Sequence, residues 1–170
     1  MKVILPLVIE QKLVAALCKA GRQEIGGILM GEHMVGDVYR IQDVTVQGQA
    51  GTFASFVRFA KEIVGPLHSF FHKTHHDYKR FNYLGEWHSH PSFLPRPSMR
   101  DSEAMWEMLQ DTETGANFAV LLVVRLSVSN QVEGTATVYL PRHVSFEAEL
   151  LREGVTIVAS QEGMGNGEPE

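Results

Sequence analysis

Cys18 is the only cysteine in the chain, so no internal disulfide can form and no pair of thiolates can hold a metal. A reducing compartment, the cytoplasm, is the expectation this supports. Basic residues are also in deficit. Lys and Arg number 15 against 20 Asp and Glu, for a formal charge of −5, and a surface of that sign speaks against nucleic acid or an anionic membrane as a partner. A protein or peptide fits better. Long apolar runs are missing as well: the longest, Phe118 to Val124, has the length of a buried strand and falls far short of the ~20 residues that span a bilayer. The N-terminal Met-Lys-Val-Ile-Leu-Pro-Leu-Val-Ile is interrupted by Glu10, Gln11 and Lys12 before a signal-peptide core could develop, so it reads as mature protein.

The residues present are enough for one domain. Apolar residues make up 44% of 170 positions, with no internal repeat and no second linker. Val3 to Leu5 reads as a short strand ended by Pro6, and Leu7 to Ala20 as a helix closed by Gly21, with Cys18 in its core stripe. Glu24 to Met34 and Val38 to Val46 form a hairpin around Gly36-Asp37, and Gln47 to Ser55 is a polar loop. A short strand, Phe56 to Phe59, precedes a helix over Lys61 to Arg80 that starts in earnest at Pro66, a residue accepted at the first helical position. Next come a strand from Phe81, a helix from Ser98 to about Asp111, a turn over Thr112 to Asn117 and a hairpin of Phe118 to Val128 with Val132 to Leu140. Phe146 to Leu151 suits a strand or short helix, and Val155 to Val158 a last apolar segment. The tail 161–170, rich in glycine and glutamate, is expected to be disordered. The sum is a single α/β domain over 1–160, with six to eight strands in a largely antiparallel or mixed sheet flanked by helices.

Chemistry concentrates between Gly85 and Asp101. His88 and His90 sit at i and i+2 on a strand, so both imidazoles leave the same face and one metal can reach both. Pro91 ends the strand, a turn containing Pro95 and Pro97 comes after it, and Asp101 falls in the first turn of the next helix. Two neutral imidazoles and a carboxylate suit Zn²⁺, and three protein ligands leave one tetrahedral position open, as in catalytic sites. The competing reading is local: Ser98-x-x-Asp101 is also a helix capping pair, compatible with a metal or without one. A hydrolytic site needs a carboxylate to carry a proton, and Glu24, Glu32 and Glu86 are available. Glu86 shares the histidines' face but lies about 6–7 Å along the strand from His88. Glu24 opens a strand whose Gly26, Gly27 and Gly31 suggest a bulge or close backbone approach. Glu32 is nearer the turn, where exposure is expected. A helix carrying His68, His72, His75 and His76 offers i, i+4 pairs, but only Asp77 as an acidic third ligand, and reads as a solvated face. Trp87 alternates away from the histidines toward the core, and Trp106 joins Met105, Met108 and Leu109 in a buried helix stripe.

Glu24 with Gly27, Leu29 and Gly31, then His88-x-His90-Pro91, then Pro97-Ser98-x-x-Asp101 resembles the signature of the JAMM (MPN+, JAB domain) zinc metallopeptidases. Gly26 departs from it where many relatives carry a cysteine that is not a ligand. The resemblance, which spans residues 1 to about 160, implies a JAB/MPN fold of the cytidine deaminase-like kind. It further implies Zn²⁺ held by His88, His90 and Asp101, Glu24 as general base and then acid, and Ser98 as hydrogen-bond donor to the oxyanion. The substrates it implies carry a ubiquitin-like protein whose extended tail ends in glycine. The compact length and the run Gly-Glu-Trp-His-Ser-His-Pro are similar to prokaryotic JAB peptidases, many of which accompany conjugating enzymes in antiphage (CBASS-like) operons. There the expected substrate is a ubiquitin-like protein or a cGAS-like nucleotidyltransferase joined to its target. Processing of a sulfur-carrier precursor in cysteine or thiamine synthesis is the second expectation, and a non-catalytic MPN scaffold the third.

Overall fold

The computed structural model describes residues 1–47, 56–111 and 115–154. Its elements in chain order are β1 (Lys2–Leu5), α1 (Leu7–Ala20), β2 (Gly26–His33), β3 (Val38–Val44), α2 (Phe56–Lys73), β4 (Phe81–Ser89), α3 (Met99–Gln110), β5 (Ala119–Leu126), β6 (Val132–Leu140) and β7 (Val144–Arg152). The seven strands close into a barrel in the order β1-β3-β2-β4-β5-β6-β7. The sheet is mixed: β1 runs parallel to β3 and β7, β4 runs parallel to β5, and the other neighbours are antiparallel. The expectation from sequence was a largely antiparallel or mixed sheet flanked by helices; closure into a barrel is a further finding, made by the short β1, which bridges β3 and β7.

Period-2 alternation gives the barrel an inside and an outside. All seven strands contribute to the core that takes in Ile9, Leu13 and Leu17 of α1, so this helix packs against the inner face. Trp87 points the same way, 1% exposed, and its indole N–H donates to the Thr45 carbonyl at 2.8 Å. Truncating Trp87 to alanine would lose that burial and leave a cavity, so an unfolding cost of about 3–5 kcal/mol is expected in denaturant titration. On the outer face, α3 covers β5 and β6 through Met105, Met108 and Leu109, and α2 lays Phe70 on Ile28 and Met30 of β2. Trp106 packs at the edge of this layer, against Tyr139 and His143.

Four readings of α1 and α2 from sequence are corrected. Phe56 to Phe59 is the first turn of α2 and not a strand, Pro66 lies inside that helix, and the helix ends at Lys73 instead of Arg80. Phe56, Val57, Ala60, Ile63, Val64 and Leu67 recur at helical spacing once read as one run, while His75 and His76 adopt φ of 54° and 58° and terminate it. Cys18 is exposed, because the buried stripe of α1 runs along Ile9, Leu13 and Leu17 and leaves position 18 on the outer side. The ambiguous Phe146 region is strand β7. The loop over 48–55, the segment Val155 to Val158 and the tail 161–170 lie outside the described residues. Among the described residues no helix is long and apolar enough to cross a membrane.

Candidate metal centre

The outer face of β4 and the N-terminus of α3 meet where the strand ends. His88 pairs in register with Gly26 of β2 on one side and Val123 of β5 on the other. A Cβ at Gly26 would stand 2.6 Å from the Trp87 carbonyl oxygen and 3.2 Å from the His88 Cβ, so glycine permits the close approach of β2 to the histidine strand. A register shift between Leu29 and Met30 supplies the expected bulge.

Ser98 caps α3 in a reciprocal box: its Oγ accepts the Asp101 N–H at 3.2 Å, and its own N–H donates to Asp101 Oδ2 at 2.6 Å. The capping reading is therefore correct, and it does not compete with the other. The same Oδ2 faces His88 Nε2 at 3.6 Å and His90 Nε2 at 3.8 Å, and the two Nε2 atoms are 3.0 Å apart. A carboxylate oxygen has lone pairs for both tasks. Among the described residues, His88, His90 and Asp101 form the group of three that can hold a metal ion. Ligands about 2.0–2.2 Å from a tetrahedral zinc lie about 3.3–3.6 Å from one another, and the three observed separations bracket that range. The donors fit in protonation too. Burial lowers the His88 pKa to about 4, against the opposing pull of Asp101, so its imidazole is neutral at pH 7. His90 Nδ1 lies 3.0 Å from the Leu94 carbonyl, which can only accept, so this contact favours a hydrogen on Nδ1, the tautomer that turns the Nε2 lone pair to the cluster.

The glutamates separate clearly. Hydrogen bonds join Ile25 to Ser89 in both directions, from Ser89 N–H to the Ile25 carbonyl and from Ile25 N–H to Ser89 Oγ. Glu24 lies just ahead of β2, two residues before the Gly26 that pairs with His88, and is exposed. Glu32 is buried, not exposed as expected, because the Arg80 guanidinium and the Gln42 amide satisfy its carboxylate. Glu86 is half-buried under α3, where the Tyr83 hydroxyl lies 3.3 Å from its carboxylate and 3.3 Å from Met108 Sδ. Desolvation raises its pKa to about 8, outweighing the Tyr83 hydrogen bond. Since the unfolded chain ionises from about pH 4.5 and the native carboxyl does not, stability falls as pH rises from about 4.5 to 8. Glu86→Gln is expected to abolish that fall, raising the melting temperature near pH 7.5 while leaving it nearly unchanged near pH 4.

The histidines of α2 and its C-terminal turn lie on an exposed surface, with His72 and His76 at 6.1 Å between ring centroids and His76 bonded to the Tyr78 hydroxyl. Contacts that sequence reasoning missed include Tyr139, whose hydroxyl meets Ser102 Oγ at 2.9 Å and so ties β6 to the first turns of α3. Exposed apolar side chains, Phe93, Leu94 and Met99, border the metal group.

The family model for prokaryotic homologs of the JAB domain matches residues 6–140. The chain belongs to this family. The JAB domain occurs in JAMM metallopeptidases and also in members without activity, so membership leaves either role open to this chain. The solution structure of protein DSY2949 from Desulfitobacterium hafniense is similar in fold, with a TM-score of 0.61 at 17% identity over 90% of this chain and 93% of that one. A JAB1/MPN domain protein from Archaeoglobus fulgidus, AF2198, aligns over 89% of this chain and 99% of its own at 16% identity, with a TM-score of 0.43. Among curated proteins, none matches.

Proposed function

We propose that this JAB-domain chain is a zinc-dependent isopeptidase or peptidase of the JAMM type. The substrate is a ubiquitin-like protein, or a cGAS-like nucleotidyltransferase, conjugated through its C-terminal glycine to a target, and the setting is bacterial antiphage defence in the cytoplasm. The observation that carries the chemistry is the convergence of His88 Nε2, His90 Nε2 and Asp101 Oδ2, with the exposed Ser98 capping the same helix turn as Asp101. Zn²⁺ bound by these three residues would supply Lewis-acid polarisation and make water acidic enough to be deprotonated near neutral pH.

The chain's own groups do the rest. The Glu24 carboxylate accepts a proton from the attacking water and returns it to the departing amine. Ser98 Oγ already accepts from the Asp101 N–H, which leaves its hydrogen free to donate to the oxyanion as the carbonyl becomes tetrahedral. Asp101 is held for its task by the helix cap, so the ligand and the oxyanion donor share one rigid turn. Because every strand of the barrel is paired on both sides, an extended substrate tail would make its backbone hydrogen bonds to the connections bordering the site.

The test is incubation of the zinc-loaded chain with fusions in which a peptide is attached after the terminal glycine of a ubiquitin-like protein, of a cGAS-like nucleotidyltransferase, or of a sulfur carrier ending in Gly-Gly. Mass spectrometry should find cleavage after the glycine in one of the first two and lose it when that glycine is replaced by valine. Cleavage of the sulfur-carrier fusion alone would move the chain to precursor processing, and no cleavage of any would leave a scaffold.

A further inference from the structure

The segment 91–97 between β4 and α3 carries Phe93 and Leu94, which are 67% and 66% exposed, so burial does not hold it. Three of its seven residues are prolines, which donate no backbone hydrogen bond. The Phe93 N–H donates to the His90 carbonyl at 3.4 Å, and the segment's carbonyls supply its other handles. The Leu94 carbonyl accepts from His90 Nδ1 at 3.0 Å and from the Arg96 N–H at 2.8 Å. The Phe93 carbonyl lies 3.4 Å from Arg125 Nη1, an exposed contact whose guanidinium also pairs with Glu133. The Pro95 carbonyl accepts from the partly buried Thr135 hydroxyl at 2.6 Å, the shortest of these contacts.

Thr135 is placed for this by register. It stands opposite Val123, which stands opposite His88, so threonine and histidine share the outer face of the sheet. We infer that Thr135 is a positioning residue for the metal centre: its hydroxyl fixes the Pro95 carbonyl, and with it the Leu94 carbonyl that keeps the hydrogen of His90 on Nδ1 and the Nε2 lone pair toward the metal. This rests on the zinc-peptidase proposal for its consequence, though not for its first observable, the tautomer. Partners that orient a ligating histidine typically change metal affinity by about 10- to 100-fold when removed. Thr135 acts one bond further out, so the lower end is expected.

Thr135→Val keeps the shape and β-branch and removes the hydroxyl, whereas Thr135→Ser keeps the hydroxyl. Long-range ¹H–¹⁵N imidazole spectra of the metal-free chain above pH 7 read the tautomer, and competition with a chromophoric chelator reads zinc affinity. The expected result is a single Nδ1–H form of His90 in the wild type and in Thr135→Ser. Thr135→Val should show a mixture and a roughly tenfold weaker zinc Kd, with serine within about threefold of wild type. An unchanged Nδ1–H form in Thr135→Val, or equal loss in the serine variant, would overturn the inference. The tautomer is measured without metal or substrate, so a chain that cleaves nothing but shows the shift would fail only the peptidase reading. An active enzyme without the shift would fail only this one.

Discussion

Glu24→Gln is expected to leave the zinc content at one per chain and to lower kcat/KM by about 10²–10⁴, a loss of about 3–5 kcal/mol of transition-state stabilisation. The amide keeps the size of the side chain and much of its hydrogen bonding but cannot take a proton. Glu24 is exposed and lies outside the group of three whose atoms converge, so neither metal binding nor the melting temperature should move appreciably. Elemental analysis and steady-state kinetics on the same preparation separate the possibilities. Full activity would remove the assigned base, and loss of zinc would make Glu24 a ligand. The choice of Glu24 over Glu86 and Glu32 gains support from their surroundings: Glu86 is held neutral beneath α3 and Glu32 is committed to Arg80.

The parts of the site that could be read in the sequence are those whose geometry is local. A strand's two-residue period puts His88 and His90 on one face, and a capping box spans four consecutive residues, so Ser98 and Asp101 announce their own arrangement. The supports of those residues were not legible. Thr135 meets Pro95 across 40 positions and Tyr139 meets Ser102 across 37, and nothing in a threonine or a tyrosine on a strand states which loop it will touch. The same applies to Glu32, whose exposure was inferred from its place near a turn and whose burial depends on an arginine 48 positions away. Barrel closure rests on β1 lying parallel to β7, with Lys2 beside Glu149, a pairing of distant segments that period and turn chemistry do not encode. α2 misled for a different reason. Phe56 to Phe59 has the residue types of a strand, and the helical spacing emerges only when the segment is joined across Pro66 to the residues Leu67 to Lys73.

His88→Ala is expected to abolish zinc binding and with it all activity, and it carries the larger consequence because it tests the metal and not one step of the chemistry. Removing one of three donors leaves an imidazole and a carboxylate, too few to compete with water or a chelator for the ion. Wild-type chain should melt at a higher temperature with zinc than without, since a ligand that binds only the native state adds about 2.7 kcal/mol at a hundredfold excess over Kd. The variant should melt at one temperature regardless of zinc. Asp101→Asn then separates the two duties of the carboxylate. The amide oxygen can still accept the Ser98 N–H and preserve the cap, so α3 and the melting temperature of the metal-free chain should be nearly retained. The charge is gone, however, and a neutral amide is a far weaker ligand for zinc than a carboxylate. If Asp101→Asn bound zinc as tightly as wild type, Asp101 would be a cap alone, and the open face between the two histidines would need a different third ligand.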